Sequence, residues 1–171
     1  DRNQPGLYVL DSLDALSDRD ELERPIDKGS YGATKAKKMS ELFRRTVQHL
    51  GERRVCVMII SQVRDNIAVT FGRKTTRSGG RALAFYASQV IYLAQKERLK
   101  KTRAGISRAI GVLIRARCDK NKIGFPFREC EFPILFGYGI DDLAADLGWL
   151  DEVKRLDVVD LDPSDLKDIE R

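Results

Sequence analysis

Two places in the sequence set polar groups at the end of an apolar run. The first is Leu7-Tyr8-Val9-Leu10 followed by Asp11-Ser12. A carboxylate at a strand tip can help hold Mg2+ beside a phosphate chain. Taken alone, the stretch reads first as an ordinary strand running into a helix cap, because Asp and Ser are good N-caps. The second is Val55 to Ile60, charge-free and rich in β-branched residues, ending at Ser61-Gln62. That composition predicts a strand buried on both faces. A basic, hydroxyl-rich stretch follows, closed by Gly79-Gly80, and residues 64–81 carry a net charge of +4. Ligands of open α/β sheets bind at the carboxyl ends of strands. Long loops in compact domains are functional or disordered. A positive loop at that place predicts a polyanionic partner.

Charge is distributed in blocks around these positions. Residues 1–27 sum to −5, 28–50 to +5, 96–122 to +8 and 141–171 to −7. A basic middle between acidic ends fits a nucleic-acid-binding core and equally a solvated charged surface. The 171 residues, 42% hydrophobic, suffice for one domain with a sizeable core. No apolar run is long enough to span a membrane and no signal peptide is evident, so a cytoplasmic protein without membrane partners is expected. The start at Asp1 rather than Met suggests a fragment of a longer chain. Cys56, Cys118 and Cys130 are isolated and lack metal-ligand spacing, which reads as reduced structural thiols. His49 is the only histidine, so histidine-based metal or triad chemistry is not expected.

The elements that must position these groups follow from periodicity. Asp18 to Asp27 reads as a charged connector broken by Pro25. Ala36, Met39, Phe43, Val47 and Leu50 recur at helical spacing and form one core-facing stripe. Arg81 to Ser88 reads as helix-like. Val90 to Ala94, Ala109 to Ala116 and Glu129 to Leu135 read as strands, and Lys96 to Arg103 as a solvated hairpin tip that could touch duplex DNA. Leu143, Leu147, Leu150 and Val153 predict a short helix in an acidic C-terminal segment, residues 141–171. Gly29 to Lys38 is rich in Gly, Ser, Thr and Lys, yet G-x-x-x-x-G-K-[ST] has no match anywhere in the chain.

Several ordered motifs carry a family resemblance. Ser61-Gln62-Val63-Arg64, Phe71-Gly72 and Gly79-Gly80-Arg81-Ala82-Leu83-Ala84-Phe85-Tyr86-Ala87-Ser88 resemble the second DNA-binding loop of the bacterial RecA recombinases. Asp11-Ser12 with Leu13 and Ala15-Leu16 resembles their Walker B strand. Lys120-Asn121-Lys122-Ile123 with Pro126-Phe127, and Glu131 to Ile140, also follow the RecA pattern. The resemblance implies an α/β fold for residues 1–140: part of a RecA-like P-loop ATPase core, with a central twisted, mostly parallel sheet, flanking helices and an antiparallel β extension.

It also implies roles. ATP and Mg2+ are the implied cofactors, with Asp11 reaching the metal indirectly and Ser12, Phe136 and Gly137 at the nucleotide. Gln62 is the implied γ-phosphate sensor; otherwise it is the first polar residue of a loop. Lys120 and Lys122 would reach across a filament interface to a neighbour's ATP phosphates, a cation supplied in trans. By spacing alone they are two lysines in a hairpin turn. DNA loops are implied at about residues 28–39 and 62–81. In them Tyr31 is an apolar wedge with Gly32 after it, Ser40 and Arg44 contact phosphate, and Arg64, Gly79, Gly80 and Arg81 line the second loop. Ile67 inserts between base steps or simply anchors the loop.

Three departures stand out. Arg73-Lys74 replaces the usual proline and acidic residue, Asp65 follows Arg64 where apolar residues are usual, and Phe136 replaces a tyrosine. The family's Walker A loop and catalytic glutamate lie upstream of this segment. The expectation is therefore that this chain alone neither hydrolyses ATP nor forms active filaments, whereas the protein it belongs to does both. That protein would polymerise on single-stranded DNA, pair it with duplex DNA and exchange strands in recombination and repair. The alternatives are a non-catalytic RecA-like DNA-binding or assembly module and, third, a replicative-helicase relative.

Overall fold

The computed structural model describes residues 4–23, 25, 32–65, 75–77 and 81–161. The chain divides into two compact units, residues 1–87 and 88–171. In the first unit, β1 (Gly6–Leu10) and β2 (Val55–Ile59) pair in parallel, with Gly6 opposite Val55 and Leu10 opposite Ile59. A short helix, α1 (Arg19–Glu23), and a long one, α2 (Gly32–Glu52), connect them. Ala, Lys, Met, Leu and Arg give α2 a sequence of strong helix formers. The expected stripe residues Ala36, Met39, Phe43 and Leu50 are half-buried, and Val47 is more exposed.

The expected connector at Asp18 to Asp27 holds α1 because Asp18 caps it, accepting the Glu21 N–H at 2.8 Å. Arg19 and Glu23 pair one turn apart. Lys38 of α2 bridges back to Asp18 at 3.2 Å and Asp20 at 2.7 Å. Next come two short antiparallel strands, β3 (Val63–Asp65) and β4 (Thr75–Arg77), then α3 (Ala82–Tyr86). The basic stretch after β2 therefore contains a paired β stem. Tyr86 of α3 lies 6.3 Å from Phe43 of α2, ring to ring.

The second unit is an antiparallel meander: β5 (Gln89–Arg103), β6 (Ile106–Asn121), β7 (Glu129–Leu135) and β8 (Gly139–Ile140). Helix α4 (Asp142–Glu152) follows, capped by the Asp141 carboxylate on the Ala144 N–H at 3.1 Å. Leu147 of α4 and Leu156 just beyond it are buried. The expected solvated tip at Lys96 to Arg103 is instead ladder. β5 and β6 stay paired out to Arg103 opposite Ile106, and Ala104 and Gly105, both at positive φ, close the turn. Two consecutive positive-φ residues match the twist of a two-residue hairpin, so the strands need no looser tip.

Two other expectations change. Exposure alternates along β2: Cys56 and Met58 are exposed, so this strand is not buried on both faces, and Cys56 is not a core thiol. Parallel sheets bury both faces only when layers cover them, and the described residues supply two parallel strands and one long helix. For the same reason the apolar core is small. Among the described residues only Leu13, Leu147 and Leu156 are buried hydrophobics, while Leu7, Tyr8 and Val9 of β1 are exposed. Among the described residues parallel pairing is confined to β1 and β2, and every other pairing is antiparallel. No helix among the described residues is long and apolar enough to cross a membrane.

Candidate nucleotide and nucleic-acid site

In the first unit, the carboxyl ends of β1 and β2 are laced together. Leu10 C=O accepts the Ile60 N–H at 3.0 Å, and Ile60 C=O accepts the Leu13 N–H at 2.9 Å. Leu13, 1% exposed, plugs the space beneath. The Gln62 N–H then donates to Asp14 Oδ2 at 2.7 Å. Asp11, Ser12 and Gln62 thus share one strand-end rim, with the Gln62 backbone held by a carboxylate. The Asp11 side chain is exposed and makes no ion pair or hydrogen bond among the described residues. A solvent-facing carboxylate at a strand tip fits the water-mediated contact to Mg2+ that its type allows.

The loop candidates divide. Ser40 is half-buried and Arg44 exposed, four residues apart and so on one face of α2. Arg81 is exposed at the start of α3, its carbonyl accepting the Phe85 N–H at 3.0 Å. Gly32 is the first residue of α2, so residues 32–39 of the expected first loop are helical. Arg64 lies in β3, opposite Thr76. Tyr31, Ile67, Gly79 and Gly80 lie outside the described residues.

In the second unit, Lys120 is the penultimate residue of β6, opposite Val90, and Lys122 follows immediately after the strand. Asn121 between them shapes the turn. Its Oδ1 accepts the Ile123 N–H at 3.0 Å, the Gly124 N–H at 3.1 Å and Gln89 Nε2–H at 3.2 Å. This is a side chain standing in for a turn carbonyl. The Lys122 N–H donates to Ser88 C=O at 2.9 Å, pinning the second lysine to the start of β5. Partial burial, then the charge of Lys122, pushes the Lys120 ammonium below its ordinary range. An ammonium disfavoured by burial and by a like charge beside it gains from an anion placed near it.

Phe136 and Gly137 stand elsewhere. They occupy the tight turn between β7 and β8, where Gly137 has φ +81° and the Phe136 N–H donates to Ile110 C=O at 2.8 Å. The Phe136 ring is 62% exposed and so open to stacking. Because Leu135 pairs with Gly111 and Glu129 with Arg117, that turn and the lysines lie at opposite ends of the β6–β7 ladder. From Ile110, beside Phe136, to Lys120 the separation along β6 is roughly 33 Å at about 3.3 Å per residue. The structure therefore keeps the two parts of the expected nucleotide set apart within this unit.

Between them the ladder carries ion pairs. Glu131 bonds Lys96 at 2.8 Å and Arg115 at 2.9 Å, and Arg117 bonds Asp119 at 2.7 Å. Lys96, then Arg115, hold the Glu131 carboxyl below its usual range, while Asp119 raises Arg117. Two residues with positioning roles were not singled out from the sequence. Asn121 carried a usable signal, since Asn favours turns. Asp14 carried none, because its partner Gln62 is 48 residues away.

The RecA N-terminal domain family model matches residues 3–141. The chain is 36% identical over 146 residues to Protein RecA of Prochlorococcus marinus (strain NATL1A), covering 85% of this chain and 37% of that protein. It is 38% identical over 138 residues to Protein RecA of Thermus thermophilus, covering 81% and 39%. It is 37% identical over 152 residues to Protein RecA of Chlamydia trachomatis serovar L2, covering 85% and 42%. The chain thus spans about two fifths of the length of these curated relatives. With the family match running from before β1 to the end of β8, this chain belongs to the RecA family.

Proposed function

We propose that the chain is part of a cytoplasmic, ATP-dependent recombinase that forms helical filaments on single-stranded DNA and exchanges strands with a homologous duplex. The observation that carries this reading is the separation of Phe136-Gly137 from Lys120 and Lys122 by most of the β6–β7 ladder. One nucleotide cannot meet both ends. A protomer that stacks its own adenine on Phe136 must direct its lysines at a different nucleotide, which a head-to-tail assembly supplies from the next subunit.

On this reading ATP with Mg2+ supplies the phosphoryl group that is cleaved. Asp11, at the tip of β1, would help hold Mg2+ through water, and the ion would neutralise charge on the phosphates. Gln62 reads the γ-phosphate and transmits its presence to β3, which begins one residue later. Lys120 and Lys122 place positive charge where negative charge develops. Ser40, Arg44, Arg64 and Arg81 hold backbone phosphates, with Tyr31, Gly32, Ile67, Gly79 and Gly80 completing the DNA loops. Arg73 and Lys74 add to the salt dependence of binding.

The test is the full coding sequence, read for G-x-x-x-x-G-K-[ST] upstream of Asp1, together with ATP hydrolysis by its product. Hydrolysis that rises on adding single-stranded DNA supports a recombinase. A product without that motif and without ATPase activity is instead a binding or assembly module.

A further inference from the structure

Ile60, Ser61 and Gln62 join β2 to β3. Asp14, half-buried in the single helical turn Leu13–Ala15, accepts the Gln62 N–H at 2.7 Å. That turn is itself fixed to the strand end, because the Leu13 N–H donates to Ile60 C=O at 2.9 Å. Among the described residues the Ser61 hydroxyl oxygen is buried and has no hydrogen-bond partner. A buried hydroxyl left unsatisfied is destabilising, whereas an alanine in its place is not. Covalent geometry keeps a serine Oγ within about 4 Å of the next residue's nitrogen. Ser61 Oγ therefore lies within about 7 Å of Asp14 Oδ2, near enough for a small shift of the strand end to join them.

We propose that Ser61 and Asp14 are positioning residues that form a two-position latch on Gln62. At rest the Gln62 N–H occupies the carboxylate and the Ser61 hydroxyl goes without a partner. When Gln62 moves off, the Ser61 O–H donates to Asp14 in place of the departing N–H. Each position leaves one donor of the pair without a protein acceptor. At rest it is the buried hydroxyl; after the shift it is the N–H of an exposed residue, which water can satisfy. The two positions are therefore close in free energy, and a contact made by the Gln62 side chain in only one of them decides between them. For the function proposed above, a γ-phosphate that meets Gln62 only in the shifted position selects that position. This consequence rests on the reading of Gln62 as the γ-phosphate sensor, whereas the latch rests on the strand-end geometry.

The experiment compares Ser61→Ala and Ser61→Thr with the unsubstituted full-length protein. Hydrogen exchange at the Gln62 amide, read by mass spectrometry without nucleotide, should slow about tenfold in Ser61→Ala. The substitution removes the orphaned hydroxyl from the rest position and the replacement donor from the shifted one, so Gln62 leaves Asp14 less often. A serine that only props the strand end gives the opposite sign, faster exchange. Ser61→Thr keeps the hydroxyl and should exchange like the unsubstituted protein. Binding of ATPγS should weaken by about the same factor in Ser61→Ala with ADP binding unchanged, because only a γ-phosphate draws on the shifted position. Slowed exchange with unchanged ATPγS binding upholds the latch and removes the γ-phosphate reading of Gln62. Unchanged or faster exchange in Ser61→Ala overturns the latch, as does slowing in Ser61→Thr equal to that in Ser61→Ala.

Discussion

Replacing Asp14 tests whether the strand-end rim positions Gln62 as described. Asp14→Ala removes the carboxylate that accepts the Gln62 N–H at 2.7 Å. Hydrogen bonds to charged groups contribute about 1.5–3 kcal/mol. Gln62 is exposed, so water can take over the freed N–H, and the lower end applies. A loss of about 1.5 kcal/mol is about a tenfold rise in local opening. Amide hydrogen exchange at Gln62 should accelerate by about that factor, with Val9 and Val57 in the ladder affected less. If the rim opens only with the whole unit, the urea midpoint should also drop by about 0.7 M for a slope near 2 kcal/mol/M. Asp14→Asn keeps an acceptor without the charge and should show roughly half the effect. Unchanged exchange at Gln62 in Asp14→Ala would refute the reasoning, as would an Asn variant as damaging as the Ala variant.

Glu131 gives a pH signature. Its folded carboxyl is held below the ordinary value of 4.5 by Lys96 and then Arg115, so its contribution is full above that value. The contribution is lost as pH falls through the depressed folded value. Thermal unfolding of the parent should therefore weaken over that acid window more than that of Glu131→Gln, by a modest amount because the side chain is one-third exposed. Gly111→Ala should destabilise by about 1–3 kcal/mol in denaturant titration, since a Cβ there would run into the Ile134 carbonyl oxygen. Asn121→Ala should loosen the Lys120–Lys122 turn, costing about 1 kcal/mol in thermal unfolding. In the assembled protein it should also lower DNA-stimulated ATP hydrolysis with both lysines still present.

What the sequence disclosed depended on range. β1, β2, the stripe of α2 and the three long strands of the second unit were legible because hydrophobic periodicity is a local property. The α4 segment was legible for the same reason. The true length of β5 and β6 was hidden, because their outer halves show no apolar alternation and only cross-strand pairing reveals them. Exposure along β2 was misjudged because composition describes a strand's preference, whereas burial depends on which layers are present. Asp11, Gln62 and the lysines were singled out as candidates through ordered motifs. Their spatial division, with Phe136 far along the ladder from Lys120, follows from strand register and could not be read from spacing.

The central claim is that Lys120 and Lys122 act on a neighbour's nucleotide. Its most direct test is complementation in the full-length protein. Gln62→Ala and Lys120→Ala/Lys122→Ala are assayed for single-stranded-DNA-stimulated ATP hydrolysis alone and mixed in equal amounts. Each alone should be nearly inactive. In the mixture, roughly one head-to-tail interface in four joins an intact Gln62 site to an intact lysine pair, and activity should return to about that fraction. A mixture as inactive as its components would contradict action in trans.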